Sequence, residues 1–102
     1  MRMKSGMATG WNFCALAQFC YRRLCELGTF EPGSFRMSER MVRTLGDPTA
    51  IYYCLHGPRR TKFTAICDLR GGYARFYGCD GQWLEQTPLP LSARSLDSQC
   101  AA

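Results

Sequence analysis

Cys54 and His56 are the two residues in this sequence whose types could support nucleophilic chemistry. A histidine base activates a cysteine thiol when the two side chains lie within hydrogen-bond reach. Both residues belong to an alternating apolar run that begins at Ala50 and predicts a β-strand. Positions two apart on a strand are separated by about 7 Å, too far for a direct hydrogen bond between thiol and imidazole. The sequence therefore predicts no catalytic residues and a protein that is not an enzyme.

The cysteines do not follow a metal-binding pattern. There are seven of them, with no CxxC spacing, and the chain has one histidine, so no metal site and no cofactor is predicted. Four cysteines fall on positions interpreted as apolar, where free thiols behave as small hydrophobic side chains: Cys14, Cys20, Cys25 and Cys67. This use of cysteine favours a reducing compartment and predicts a cytoplasmic location.

Tyrosine and basic side chains form a second chemical pattern. Tyrosines stack on nucleic-acid bases and Lys and Arg contact phosphates, and the formal net charge of +5 is compatible with an anionic partner. The predicted binding residues are Tyr52, Arg59, Arg60, Lys62, Arg70, Tyr73, Arg75 and Tyr77. Tyr and Arg are also enriched at protein interfaces, and Trp83 would anchor one. The sequence thus predicts a small basic binding module, either a nucleic-acid-binding or a regulatory protein, that forms a homodimer through the exposed sheet face. The alternative is a protein-interaction or assembly module with no nucleic-acid partner.

Residues 50–85 must position these side chains, because they contain three alternating apolar runs separated by two turn signals. A Gly-Gly pair follows Arg70 and predicts a two-residue hairpin, in which Arg70 faces Tyr73. The same register places Asp68 opposite Arg75. Opposite charges on facing strands stabilise such a pair, by roughly 0.2–1 kcal/mol.

The earlier turn contains Pro58, which cannot sit within a central strand. Pairing His56 with Lys62 across this turn aligns Tyr52 with Ile66. Because side chains alternate along a strand, the two faces of the sheet differ in composition. The predicted core face holds Ile51, Tyr53, Leu55, Phe63, Ala65, Cys67, Leu69, Ala74 and Phe76. The opposite face holds Tyr52, Cys54, His56, Lys62, Thr64, Ile66, Asp68, Arg70, Tyr73, Arg75 and Tyr77.

Residues 11–27 have the periodicity of an amphipathic helix. Gln18, Arg22 and Glu26 recur every four residues, and apolar residues line the other side. Gly28 is typical of the position that follows a helix end. The apolar side is expected to cover the core face of the sheet. No segment approaches the ~20 apolar residues that span a bilayer, so no membrane partner is predicted.

The segment before the sheet is predicted to be partly helical. After a short strand at residues 35–37, Ser38 is placed to cap a helical turn over residues 39–45, which Gly46 closes. The Asp-Gly turn at residues 80–81 then leads to a further short strand.

The fold class predicted from these elements is α+β, with the N-terminal helix packed on one face of a three- or four-stranded antiparallel sheet. The further strand covers residues 82–85. Residues 1–86 form the predicted single domain. Residues 87–102 are rich in Pro, Ser and small side chains and are predicted to be a disordered tail.

Arg43, Leu45 and Gly46 close a basic segment that lies between the short strand and the first hairpin. In this order of elements, residues 34–67 resemble the looped-hinge module of bacterial swapped-hairpin regulators and antitoxins. Members of that family are DNA-binding dimers whose basic residues near the helical turn contact phosphate, so the resemblance implies a dimer and a DNA contact. The chain departs from the family in its long N-terminal helix, its additional strand pair and the lack of a proline at the start of the turn.

Overall fold

The structure of the protein is a computed structural model, which describes residues 10–94. Over these residues, one α-helix packs on one face of a five-stranded antiparallel sheet whose strands are adjacent in sequence order. The elements are α1 (Phe13–Gly28), β1 (Met37–Thr44), β2 (Asp47–His56), β3 (Lys62–Asp68), β4 (Tyr73–Tyr77) and β5 (Trp83–Pro88), with 3₁₀ turns at Pro58–Arg60 and Leu91–Ala93. The predicted α+β class is confirmed.

Helix α1 begins and ends with local hydrogen bonds. The side-chain oxygen of Asn12 accepts a hydrogen bond from the backbone N–H of Ala15 at 3.1 Å, which satisfies one of the free donors of the first turn. The left-handed residue after the helix is Thr29, with φ of 56°, and not Gly28. A Cβ on Gly28 would lie 2.5 Å from the ring of Phe30. Glycine is therefore required there because of close packing.

The core lies between α1 and the sheet. Leu16, Cys20 and Leu24 recur every four residues on α1 and are fully buried against the sheet. The predicted core face of the sheet is buried throughout except for Phe63, which is half-buried. Phe76 lies under the helix, with its ring centroid 6.4 Å from that of Phe19 in an edge-to-face arrangement.

The two predicted turns had different outcomes. The pairing of His56 with Lys62 and of Tyr52 with Ile66 is confirmed. At the second turn, Asp68 pairs with Tyr73, so the predicted pairing of Asp68 with Arg75 is wrong by two residues. The reason is the Asp68 side chain, which accepts hydrogen bonds from the backbone N–H groups of the next turn residues and needs a four-residue loop to do so. A shift of two residues leaves each side chain on its predicted face.

The helical turn predicted over residues 39–45 is not formed, because this segment is part of β1. Thr44 pairs with Asp47 across a two-residue turn, in which Leu45 has φ of 53° and Gly46 has φ of 88°. Positive φ at both central positions gives the twist that joins antiparallel strands. The sheet therefore gains an edge strand.

The chain beyond the predicted end of the domain is part of the fold up to residue 94. Strand β5 extends past the predicted boundary, and Leu89 is buried. Arg94 forms a β-bridge with Trp11, and its guanidinium lies over the indole ring, 4.3 Å from the centroid. The rest of the predicted tail, residues 95–102, lies outside the described residues.

An ion pair ties the helix to the edge strand β5. The guanidinium of Arg23 donates to both carboxylate oxygens of Glu85 at 2.7 and 2.6 Å. This two-bond geometry holds the pKa of Glu85 below its ordinary value, with Arg23 as the main cause. Both side chains are partly exposed, so we expect the pair to fix orientation more than to add stability.

The cysteines divide by burial. Cys20, Cys25 and Cys67 are free and buried, as predicted for the core. Cys14 is exposed on α1 and is disulfide-bonded, so its predicted position as a free thiol on the apolar side is wrong. The buried stripe of α1 begins two residues later, at Leu16, which turns Cys14 towards solvent.

Thiol labelling of the native protein should follow this division. Among the described free cysteines, the exposed Cys79 is expected to react fastest and the half-buried Cys54 more slowly. The three buried thiols should react only on opening of the fold. Mass spectrometry after timed alkylation measures the order. Rapid labelling of Cys20 or Cys67 would contradict their place in the core.

Candidate binding face

The candidate site is the side of the sheet that faces away from α1, which we call the outer face. Side chains that alternate with the buried ones point to this side. Of the elements in residues 10–94, α1 packs on the opposite side. Neighbouring strands are about 4.8 Å apart, so five strands give the outer face a width of about 19 Å.

The strand register arranges the outer face in three rows that cross all five strands, with His56 and Lys62 as a further pair beyond them. The middle row is Arg40, Tyr52, Ile66, Arg75 and Gln86. The rows on either side of it are Ser38, Cys54, Thr64, Tyr77 and Trp83, and Val42, Ala50, Asp68, Tyr73 and Pro88. The predicted face residues Tyr52, Lys62, Tyr73, Arg75 and Tyr77 all lie on this side of the sheet. The structure thus brings the tyrosines and two of the predicted cations together.

Strand β4 supplies the densest part of the outer face. Tyr73, Arg75 and Tyr77 follow one another at every second position and are half-buried. The Arg75 guanidinium donates a hydrogen bond of 2.9 Å to the Tyr73 hydroxyl and lies 5.1 Å from the centroid of that ring. Hydrogen bonding to Tyr73, and then to Tyr77, raises the pKa of Arg75 above its ordinary value. The result is a group of two phenol rings and one guanidinium at alternate positions of one strand.

The carboxylate of Asp68 lies beside this group but is occupied by its own turn. The backbone N–H of Gly71 donates to it at 2.8 Å and that of Arg70 at 3.0 Å. These donors, led by Gly71 and joined by the Tyr73 hydroxyl and the charge of Arg75, hold the pKa of Asp68 below its ordinary value. We expect Asp68 to offset part of the positive charge at this end of the outer face.

Three apolar or aromatic side chains are exposed on the outer face. Tyr52 is 42% exposed, Trp83 is 55% exposed and Val42 is 37% exposed. Trp83 pairs with Tyr77 at the β5 edge, and Val42 lies on the opposite edge strand, β1. Exposed aromatic groups of this kind favour contact with a partner.

The remaining predicted residues lie in turns at the two ends of the sheet. Arg59 and Arg60 are exposed in the 3₁₀ turn before β3, at the same end as Lys62. Arg70 is exposed in the turn after β3, at the opposite end. It was predicted to be a strand residue opposite Tyr73; that pairing is wrong, because the loop is four residues long.

The Cys54 and His56 pair is separated as the strand spacing predicts. The imidazole Nε2 instead contacts the hydroxyl of Ser38 on β1, at 2.9 Å. This contact is exposed, and the described hydrogen bonds give His56 no carboxylate that would orient the ring.

Two face residues were absent from the predicted set. Arg40 was assigned to the helical turn, and its place in the middle row depends on β1 being a strand. Trp83 was predicted as an interface anchor but was not included among the binding residues. Met37 and Met41 lie half-buried on the core side of β1, but the charged Glu39 between them interrupts the alternation, and a spacing of four also fits a helix, so the local sequence carries no clear sign of Arg40.

Within residues 10–94, no group of three or more His, Cys, Asp and Glu side chains is placed to hold a metal ion. No helix of this part of the chain is long and apolar enough to cross a membrane.

The fold and site together define a two-layer α+β protein with an open, aromatic and basic sheet face. Comparison with protein-family models, with curated proteins and with solved structures gave no match. The resemblance of residues 34–67 to looped-hinge regulators therefore stays a prediction.

Proposed function

We propose that the protein is a non-enzymatic binding module and that its outer face binds single-stranded nucleic acid. The observation that carries the proposal is the Tyr73, Arg75 and Tyr77 group on a sheet face that no described helix covers. Single-strand binding by other proteins combines aromatic platforms for bases with cations that follow the phosphate backbone. The outer face offers both on one side of the sheet.

Each part of the outer face has a role in this proposal. Tyr52 and Tyr77 present ring surface for bases, while Arg75, which covers one side of Tyr73, brings a positive charge between the rings to meet a phosphate. Arg40 is an exposed cation at the opposite end of the middle row. Phosphates would be met at the two ends of the sheet, where the nucleic-acid strand passes beyond it. The cations there are Arg59, Arg60 and Lys62 at one end and Arg70 at the other.

A protein-interaction module is the second candidate, supported by a different observation. The exposed side chains of Trp83, Tyr52 and Val42 lie on three different strands of the outer face. A second copy of the chain that covered them would gain apolar burial without any anionic partner. Such an interface would depend little on salt, whereas nucleic-acid binding weakens steeply as salt rises.

Fluorescence anisotropy with labelled single-stranded and duplex oligonucleotides at low salt tests the first candidate. We expect binding of the single strand, weakened by about 1–3 kcal/mol when Tyr77 is replaced by alanine, since one base then has no ring to stack on. Replacing Arg75 with glutamine should weaken binding to all sequences alike. It should also lower the salt slope by about 0.7 for each phosphate that the variant no longer neutralises.

Arg22→Gln is the matched control, because it removes the same charge from an exposed position on α1, across the sheet from the outer face. It should leave the affinity near that of the unmodified protein. Equal decreases in affinity for Arg22→Gln and Arg75→Gln would mean that net charge alone drives binding. If neither oligonucleotide binds at tens of micromolar protein, and light scattering gives a dimer that Trp83→Ala dissociates, the second candidate replaces the first.

A further inference from the structure

Two cysteines from the two layers of the fold meet in the core. Cys20 lies on α1 and Cys67 on the central strand β3, and both are fully buried. Their sulfur atoms are 3.3 Å apart. A disulfide requires about 2.05 Å, so the sulfurs are about 1.3 Å from bonding distance. We propose that Cys20 and Cys67 form a redox-active dithiol that oxidises to a disulfide joining α1 to the sheet.

The surroundings of the pair favour its closure over other cysteine pairings. Cys67 pairs across the sheet with Ala74 on β4, whose small side chain occupies little space beside it. Cys54 lies on the outer face, across the sheet from α1. Cys20 and Cys67 are the described free cysteines whose sulfurs are in hydrogen-bond contact.

The oxidant is a low-molecular-weight disulfide, for which glutathione disulfide is the probe. The thiolate of one cysteine attacks a sulfur of the oxidant, so that its S–S bond breaks and one glutathione leaves. The second cysteine then attacks the mixed disulfide, forming the Cys20–Cys67 bond and releasing the second glutathione. Two electrons pass to the oxidant, and the two thiol protons go to the departing glutathione thiolates.

Burial decides when this exchange occurs. The hydrogen bond to Cys67 and burial raise the pKa of Cys20 well above its ordinary value, so the thiolate is scarce in the closed fold. Exchange therefore proceeds when α1 lifts from the sheet or while the chain folds. Once formed, the bond closes a loop whose ends are 47 residues apart in sequence, which should raise the melting temperature by at least about 10 °C.

The test is to refold the full chain from urea in glutathione buffers of increasing disulfide fraction. We expect a peptide in which Cys20 is linked to Cys67, together with the rise in melting temperature. Digestion after aromatic residues cuts at Phe19 and so separates Cys14 from Cys20 before mass spectrometry. Cys20→Ser and Cys67→Ser should each abolish the oxidant-dependent rise, and Cys79→Ser, at an exposed position, should keep it.

Two outcomes of the peptide mapping would contradict the Cys20–Cys67 disulfide. If Cys79 becomes a glutathione mixed disulfide while both Cys20 and Cys67 remain alkylatable after unfolding, the dithiol does not close and the proposal is overturned. A linked peptide that joins Cys20 to any other cysteine has the same meaning. Peptide mapping uses the unmodified chain, so the answer does not depend on the serine variants being able to fold.

Discussion

Replacing Phe76 with alanine is expected to lower the free energy of unfolding by about 3–5 kcal/mol. The ring is fully buried under α1 and contacts Phe19 edge to face. Its removal forfeits the transfer free energy of the side chain and leaves a cavity that the close-packed layers cannot fill. Urea unfolding followed by circular dichroism measures the decrease.

Tyr77→Ala is the control for that experiment. Tyr77 is the next residue on β4, but it is half-buried on the outer face. We expect a decrease in stability well below that of Phe76→Ala, because the site can be filled by solvent. A larger decrease for Tyr77→Ala than for Phe76→Ala would mean that the two faces of the sheet are interchanged.

The two faces of the sheet could be predicted from the sequence, because successive side chains of a strand point to opposite faces. On β4, Ala74 and Phe76 alternate with Tyr73, Arg75 and Tyr77, and the two core-side residues are buried. The register after β3 was harder to predict, since a Gly-Gly pair fits both a two-residue and a four-residue loop. The Asp68 side chain stabilises the four-residue loop, because it accepts hydrogen bonds from two backbone N–H groups of the turn.

The edge strands were less predictable, for two physical reasons. Leu45 adopts a left-handed conformation that leucine rarely takes, so Leu-Gly reads more naturally as a helix end than as a hairpin turn. The segment after Glu85 is rich in proline and small residues, yet Leu89 is buried and its N–H bonds to the carbonyl of Gly72. That bond is long-range, and local composition does not encode it.

These differences in the edge strands and turns changed which residues lie on the outer face. The tyrosines and Arg75 were predicted on the correct face of the sheet, although the pairing across β3 and β4 was wrong by two residues. Arg40 lies on the outer face because residues 37–44 form a strand and not the predicted helical turn. Arg70 lies in the turn after β3 and not on the strand. The outer face is therefore wider than predicted and carries cations in its middle row as well as at both ends.

Replacing Tyr53 with phenylalanine is expected to raise the free energy of unfolding, by about 1–2 kcal/mol. Tyr53 is fully buried on the core face, and its hydroxyl has no hydrogen-bond partner among the described residues. A buried hydroxyl without a partner costs about 1–3 kcal/mol of desolvation, which the variant recovers apart from a small void. Burial, with smaller contributions from Cys67 and Cys20, raises the pKa of Tyr53 well above its ordinary value. Urea unfolding near neutral pH measures the gain.

Tyr73→Phe provides the comparison, because it also removes a phenol hydroxyl, but one that lies on the outer face and accepts a hydrogen bond from Arg75. At this partly exposed position water can take the place of the hydroxyl as a partner of Arg75, so we expect a change within about 0.5 kcal/mol. A decrease of about 1 kcal/mol or more in Tyr53→Phe would show that the buried hydroxyl is hydrogen-bonded in solution. A gain confined to Tyr53 would mean that the protein retains a destabilising polar atom beside the two core thiols.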